Sequence, residues 1–348
     1  MTLSAPADAA TGASAERSLT SYLLLPRPDE AKAKMPMAAL VYGLVQWADG
    51  AGGTAAAAAV VAWLAFELVL YQARYILNDL ADAEVDRLHT AAAARGRLPA
   101  GEHARLWAQR AIVARVLLWA AVVVALPPLA RNAGLLAAAG LVVATAAYEA
   151  ARAPMRRPTP PSSTGAAIFA LVGAGYAVRI GLGAALAGGR ATVVVSAAAF
   201  GWLFGTLGVV LAWTLEAAGL RAAGDTTVTA RKAHIGTIAR LVTDLDHPLL
   251  HGLGAQFAGA WALAALVAAT AFGSTLTDTE GLAVIPIVVI AAAVLTAWPS
   301  PWAGAVATAA VTGAALATAG PEMAMLLLVV SGTVSVARTF TPATIDLD

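Results

Sequence analysis

Apolar runs that approach or exceed the length needed to cross a bilayer recur along this chain, near residues 36–49, 54–77, 106–127, 132–151, 164–187, 192–214, 252–273, 282–298, 302–319 and 322–338. A hydrocarbon layer takes about 20 helical residues to cross, so the expected fold class is all-α, a polytopic transmembrane helical bundle. The first run is short, and those at 282–298 and 302–319 are closely joined, which gives nine or ten spans. With a mean hydropathy of +0.74 and 59% hydrophobic residues, no soluble domain of useful size remains. The membrane domain is expected over 21–340. Residues 1–20 lack a basic start followed by an apolar core and read as a disordered tail, not a signal peptide; residues 341–348 form a C-terminal tail. The chain has no cysteine, which excludes a disulfide framework and thiolate chemistry.

The net charge of +1 hides an asymmetry between connections. Arg87, Arg95, Arg97, Arg105 and Arg110 sit at or near the second connection, Arg152, Arg156 and Arg157 at the fourth, and Arg221, Arg231, Lys232 and Arg240 at the sixth. The odd-numbered connections carry almost no basic residues. By the positive-inside rule the basic connections and the N-terminus face the cytoplasm, as Arg338 would with ten spans. The expected location is an integral, multi-pass cell-membrane protein with the lipid bilayer as a partner and no nucleic acid.

One basic connection also carries acid. Residues 78–86 read Asn78-Asp79-Leu80-Ala81-Asp82-Ala83-Glu84-Val85-Asp86, at the end of a long apolar run in a chain only 12% charged. If this segment is helical, Asp79, Asp82 and Asp86 fall at i, i+3 and i+7 and share a face. Three anions held together need a cation. Oxygen donors without Cys or paired His favour a hard one, and Mg²⁺ is usually held by one or two carboxylates plus substrate phosphates. The site therefore predicts a phosphorylated substrate. An N-terminal helix cap followed by a solvated acidic turn is the plainer alternative. Guanidinium forks on the same membrane face suit the oxygens of a diphosphate that the metal does not take.

Other polar positions extend the pattern. Arg74 and Tyr75 lie one turn before Asn78, and Arg74 is expected to face a polar cavity near Asp79 and Asp82. Tyr148 and Arg152 are at i and i+4, with Arg156 at i+8, although Pro154 interrupts that helix. Pro158, Pro160 and Pro161 with Ser162, Ser163 and Thr164 mark a linker between a first half, 21–157, and a second, 164–340. Arg179 is isolated well inside the fifth span, so it requires an anion from another helix's carboxylate or from a substrate phosphate. After the sixth span, Glu216 and Asp225 form a weaker echo of the first acidic cluster, with Arg221 between them.

Asn78-Asp79-x-x-Asp82-x-x-x-Asp86 ending a transmembrane helix resembles the first aspartate-rich motif of the UbiA superfamily of intramembrane prenyltransferases. The likeness runs from Arg27-Pro28 to Thr227. Arg95 through Gly101 is similar to the basic residue and Pro-small-Gly turn that follow the family motif, and Tyr148 with Arg152 is similar to its Tyr-x-x-x-Lys element. In the second motif Glu216, Gly224 and Thr227 match, while Leu220 stands where a second acid belongs. This leaves two options at the second metal position: Asp225 substitutes, or one cation is held more loosely. The resemblance implies a bundle around a central cavity open to the cytoplasmic side. It implies Asp79, Asp82, Asp86, Glu216 and Asp225 as Mg²⁺ ligands, Asn78, Arg74, Arg95 and Arg221 as substrate-binding residues, and Arg152, Arg156, Tyr148 and Arg179 as catalytic ones.

The implied reaction is ionisation of an isoprenoid diphosphate at the allylic C–O bond in a cavity that excludes water, followed by prenyl transfer to an acceptor of unknown identity. A terpene cyclase of the same superfamily would let the substrate's own double bonds capture the cation. A polyprenyl-phosphate phosphoribosyltransferase is the third reading. Arg27-Pro28, Asp86-Arg87-Leu88-His89 and Gly175-Tyr176-x-x-Arg179 resemble that branch, although apolar Ala212 and Trp213 stand where it usually carries Lys-Arg. A transporter ranks last, because the acidic sites lie at the cytoplasmic edge and not at the midplane.

Overall fold

The computed structural model describes residues 18–49, 55–86, 97–156 and 163–222, with the isolated positions 224, 235 and 272–273. Apart from residues 272–273, the runs beyond 222 lie outside the described residues, as does the Pro-rich stretch 157–162. Every regular element among the described residues is helical. In chain order these are α1 (Leu19–Leu24), α2 (Pro28–Lys34), α3 (Pro36–Asp49), α4 (Ala56–Leu64), a π-helical turn (Ala65–Leu70), α5 (Tyr71–Asp86), α6 (Ala104–Val124) and α7 (Pro128–Arg152). A 3₁₀ turn (Ala153–Arg156), α8 (Ser163–Leu171), α9 (Ala174–Leu186) and α10 (Ala191–Ala222) follow.

Among the described residues, five stretches are long and apolar enough to cross a membrane: Ala56–Glu84, Ala104–Val124, Pro128–Arg152, Ala167–Leu186 and Ala191–Ala222, with Pro36–Ala48 a shorter apolar helix. At about 1.5 Å per residue, the 29 residues of Ala56–Glu84 overrun a hydrocarbon core about 30 Å thick. If Ala56 lies near one boundary, the acidic end falls at the other. The outward faces suit lipid: Val113, Leu117, Leu136, Val142 and Val143 are each about 60% exposed or more, a surface that water would penalise.

Proline sets several boundaries. Pro28 starts α2 at a position where its missing N–H is not needed, Pro36 separates α2 from α3, and Pro128 opens α7. The α2–α3 corner is fixed by the indole of Trp63, which donates to the carbonyl of Met35 at 2.9 Å.

α9 is the hub. It packs against α3, α7 and α10 and belongs to two apolar clusters at once. Ile180 and Ala184 join Val41, Leu44, Phe200 and Phe204, while Leu182 and Leu186 join Phe66, Tyr71, Tyr75, Trp119 and Leu141. Close approach needs small residues. A Cβ on Gly183 would collide with the carbonyl oxygen of Ala38 in α3.

Candidate functional site

The α5 helix carries the acidic stretch on two neighbouring faces. Seven residues make almost two turns, which stacks Asp79 above Asp86, whereas Asp82 is rotated by about 60° and aligns with Asn78 one turn back. Asp79 is buried, with 1% exposure, and is the most heavily bonded of the three. It accepts from the Tyr22 hydroxyl at 3.1 Å, from Arg97 Nη1 at 2.9 Å and from Arg27 Nη2. Arg97 also pairs with buried Asp86 at 3.6 Å. On the adjacent face Arg152 pairs with Asp82, donates to Asn78 Oδ1 at 2.6 Å and to Glu149 at 3.1 Å, and lies over the Tyr148 ring at 5.2 Å. Charged donors and acceptors in a partly dry setting make the strong class of hydrogen bond.

The structure thus brings Asn78, Asp79, Asp82, Asp86, Tyr148 and Arg152 to one end of the bundle, from α5 and α7. It adds Tyr22 on α1, from a segment the motifs did not cover, together with Arg27 ahead of α2 and Arg97 ahead of α6, which lay in motif segments without being singled out as site residues. Each carboxylate is neutralised by arginine. Among the described residues, no group of three or more Asp, Glu, His or Cys side chains is gathered to hold a metal ion. What remains fits Mg²⁺ in one specific way. The donors are hard oxygens on two faces, the Asp79 and Asp86 carboxylates on one and the Asp82 carboxylate with the Asn78 amide oxygen on the other, the sparse protein ligation Mg²⁺ accepts when substrate phosphates complete its shell.

A second tier extends from Arg27. Its Nη1 donates to Glu30 at 3.0 Å, its guanidinium lies over the Tyr75 ring at 4.8 Å, and Glu30 accepts from Lys34 at 2.7 Å. Burial works to raise the Glu30 carboxyl, but Lys34, Arg27 and Arg97 more than offset it and hold the group well below the usual carboxylate range. Burial likewise opposes the charge on Lys34, and the Glu30 carboxylate reverses that, holding the ammonium above its ordinary value. Lys34 also lies over the Tyr176 ring of α9 at 5.4 Å.

Deeper in the bundle, Arg179 and Glu67 are both fully buried, and Arg179 Nε donates to the Glu67 carboxylate at 2.8 and 3.1 Å. The arginine stacks on Tyr71 at 3.5 Å and donates to the Tyr75 hydroxyl at 3.4 Å. Its anion is therefore another helix's carboxylate. Glu67 lies in the π turn, the kind of helical irregularity that concentrates at functional positions. It is a single acid within an apolar run, and that isolation is the signal that singles it out.

The remaining candidates separate. Arg74 donates to the Tyr71 hydroxyl at 3.0 Å and interacts electrostatically with Tyr148, while five residues place it about 140° from Asp79 around the helix axis. Arg156 lies in the 3₁₀ turn after α7. Glu216 is half-buried and Arg221 exposed near the end of α10, whose neighbours are α9 and α8. Arg95 and Asp225 lie outside the described residues. No known family model, curated protein or solved structure matches this chain.

Proposed function

We propose that this chain is a Mg²⁺-dependent transferase that ionises an isoprenyl diphosphate and passes the prenyl group to an acceptor, in a bundle of nine or ten spans whose cavity and N-terminus face the cytoplasm. The observation that carries the reading is the convergence of Arg27, Arg97 and Arg152, from three separate segments, on Asp79, Asp82 and Asp86 at the end of one candidate span. In this reading the guanidinium groups bind and orient phosphate oxygens, and the carboxylates and Asn78 are the ligands of the cation. Mg²⁺, when bound, supplies positive charge to the leaving diphosphate. The apolar surroundings keep water from the allylic cation.

The cyclase is the second reading, and the third, transfer from phosphoribosyl diphosphate to a polyprenyl phosphate, would use the same cluster. Arg27 of the Arg27-Pro28 pair is bonded directly to Asp79. Full-length protein in liposomes with Mg²⁺ separates the readings. Diphosphate release from a prenyl diphosphate that depends on an added aromatic acceptor supports prenyl transfer, and a cyclic product without acceptor supports a cyclase. Product formed only from phosphoribosyl diphosphate and a polyprenyl phosphate supports the third reading, and inertness in every arm overturns the diphosphate site. Asp82→Asn should lower turnover at least about 100-fold with unchanged thermal unfolding. A fully active variant removes the site.

A further inference from the structure

Arg115 lies at the middle of α6 (Ala104–Val124), a candidate span, where an arginine must find strong acceptors. It finds three backbone carbonyls. Nη1 donates to Leu68 at 2.7 Å, and Nη2 donates to Leu23 at 2.8 Å and Leu24 at 2.7 Å. These acceptors have two origins. A π turn disturbs the i→i−4 ladder and leaves carbonyls in need of donors, and here two successive ones are met by side chains, Glu67 O by Gln72 Nε2 at 3.0 Å and Leu68 O by Arg115. Leu23 and Leu24 are at the C-terminal end of α1, where helix carbonyls have no partner of their own.

Each of the two features so capped positions charged or polar groups. The π turn carries Glu67, held on Arg179. Helix α1 carries Tyr22, held on Asp79, and leads into Arg27, held on the same carboxylate. Tyr22 packs with Ile76 of α5 and Ala108 of α6, flanked by Leu19 and Leu23, so α1 lies in the groove between α5 and α6 alongside the helix that bears Arg115.

We propose that Arg115 is a positioning residue: by clamping the end of α1 and the π turn with one guanidinium, it sets Tyr22 and Arg27 on Asp79 and Glu67 on Arg179. It touches neither tier itself. The consequence for turnover rests on the proposed diphosphate reaction, whereas the consequence for the placement of α1 does not.

The chain has no cysteine, so a single introduced thiol reports cleanly. Full-length Leu23→Cys in liposomes is labelled with a membrane-impermeant maleimide, with Ala184→Cys, buried on α9, as the control for global folding. Labelling at position 23 is expected to accelerate about tenfold in Arg115→Met, to fall between the two in Arg115→Lys, and to stay blocked at position 184 throughout. Equal rates at position 23 in the parent and Arg115→Met proteins overturn the proposal. If Arg115→Met exposes position 184 as well, Arg115→Lys decides: faster labelling at 23 with 184 blocked supports the clamp, and parent-like labelling at both overturns it. In the diphosphate assay, Arg115→Met is expected to raise KM about tenfold with a smaller change in kcat, and Arg115→Lys to restore part of it. An equal loss in both parameters without rescue overturns the positioning role. A parent protein without turnover fails the diphosphate reading and leaves the labelling result intact.

Discussion

Glu67 and Arg179 face each other at 2.8 Å with neither exposed, and their energetics are those of two desolvated charges. Breaking such a pair leaves one charge buried without compensation, which costs about 3–5 kcal/mol, while replacing both partners by apolar groups is often neutral. Arg179→Leu should therefore lower unfolding stability by about that amount, and Glu67→Leu/Arg179→Leu should recover most of it in a double-mutant cycle; additive losses would show that the two side chains act independently. Glu30 gives a pH dependence with a defined sign. Its folded value lies below the ordinary 4.5, so the protein binds fewer protons there when folded than when unfolded. That contribution is complete above the ordinary value and is lost as pH falls through the depressed one. Unfolding temperature should drop on acidification below about pH 4.5, and Glu30→Gln should flatten that part of the profile. A variant with an unchanged acid limb would assign the effect to other carboxylates.

The π turn fixes how α4 and α5 are phased. A π turn fits one extra residue into a turn of helix, so removing one residue from Ala65–Leu70 would restore an α-helical ladder and leave the residues beyond it close to their present phase, whereas inserting a residue after the turn would rotate them by about 100°. Inserting one alanine between Tyr71 and Gln72 is expected to swing Asp79 away from Tyr22, Arg27 and Arg97 while leaving the helix long enough to cross, so helical content by circular dichroism should persist and turnover should vanish; unchanged turnover would mean the phase does not matter. The turn also marks the limit of what sequence reveals. The helices from α3 to α10 follow from the first six apolar runs, whereas the acidic stretch, expected on one face, divides between two because Asp82 is offset from Asp79 by about 60°. The segment Ala65-Phe66-Glu67-Leu68-Val69-Leu70 has no pattern that distinguishes π from α hydrogen bonding. Partners distant in sequence, such as Glu67 with Arg179 or Arg115 with Leu23, depend on tertiary packing that no local window contains. The face of Arg74 was legible from its spacing to Asp79, and proximity along the chain misleads there because five residues reverse direction on a helix.

Across the whole molecule, α9 joins two apolar clusters and accepts Glu67 from one side and Lys34 through Tyr176 from another, so the polar network and the core converge on the same helix. Around this hub the outward faces of α6 and α7 are apolar, which assigns their stability to lipid and not to water. Arg97 adds a consequence of another kind. It stands just after residues 87–96 and holds Asp86, the residue just before them, at 3.6 Å, and Asp79 at 2.9 Å. The connection leaves and rejoins the bundle at one ion-paired point, so the closure-entropy part of lengthening it is small, about 0.6 kcal/mol per doubling. An epitope of about ten residues placed between Ala92 and Ala93 should change unfolding stability by less than about 1 kcal/mol, and a larger loss would show that residues 87–96 bear on the helices. An insertion that stays within this limit makes the connection a place to graft an antibody handle, adding mass and an asymmetric fiducial for electron cryomicroscopy.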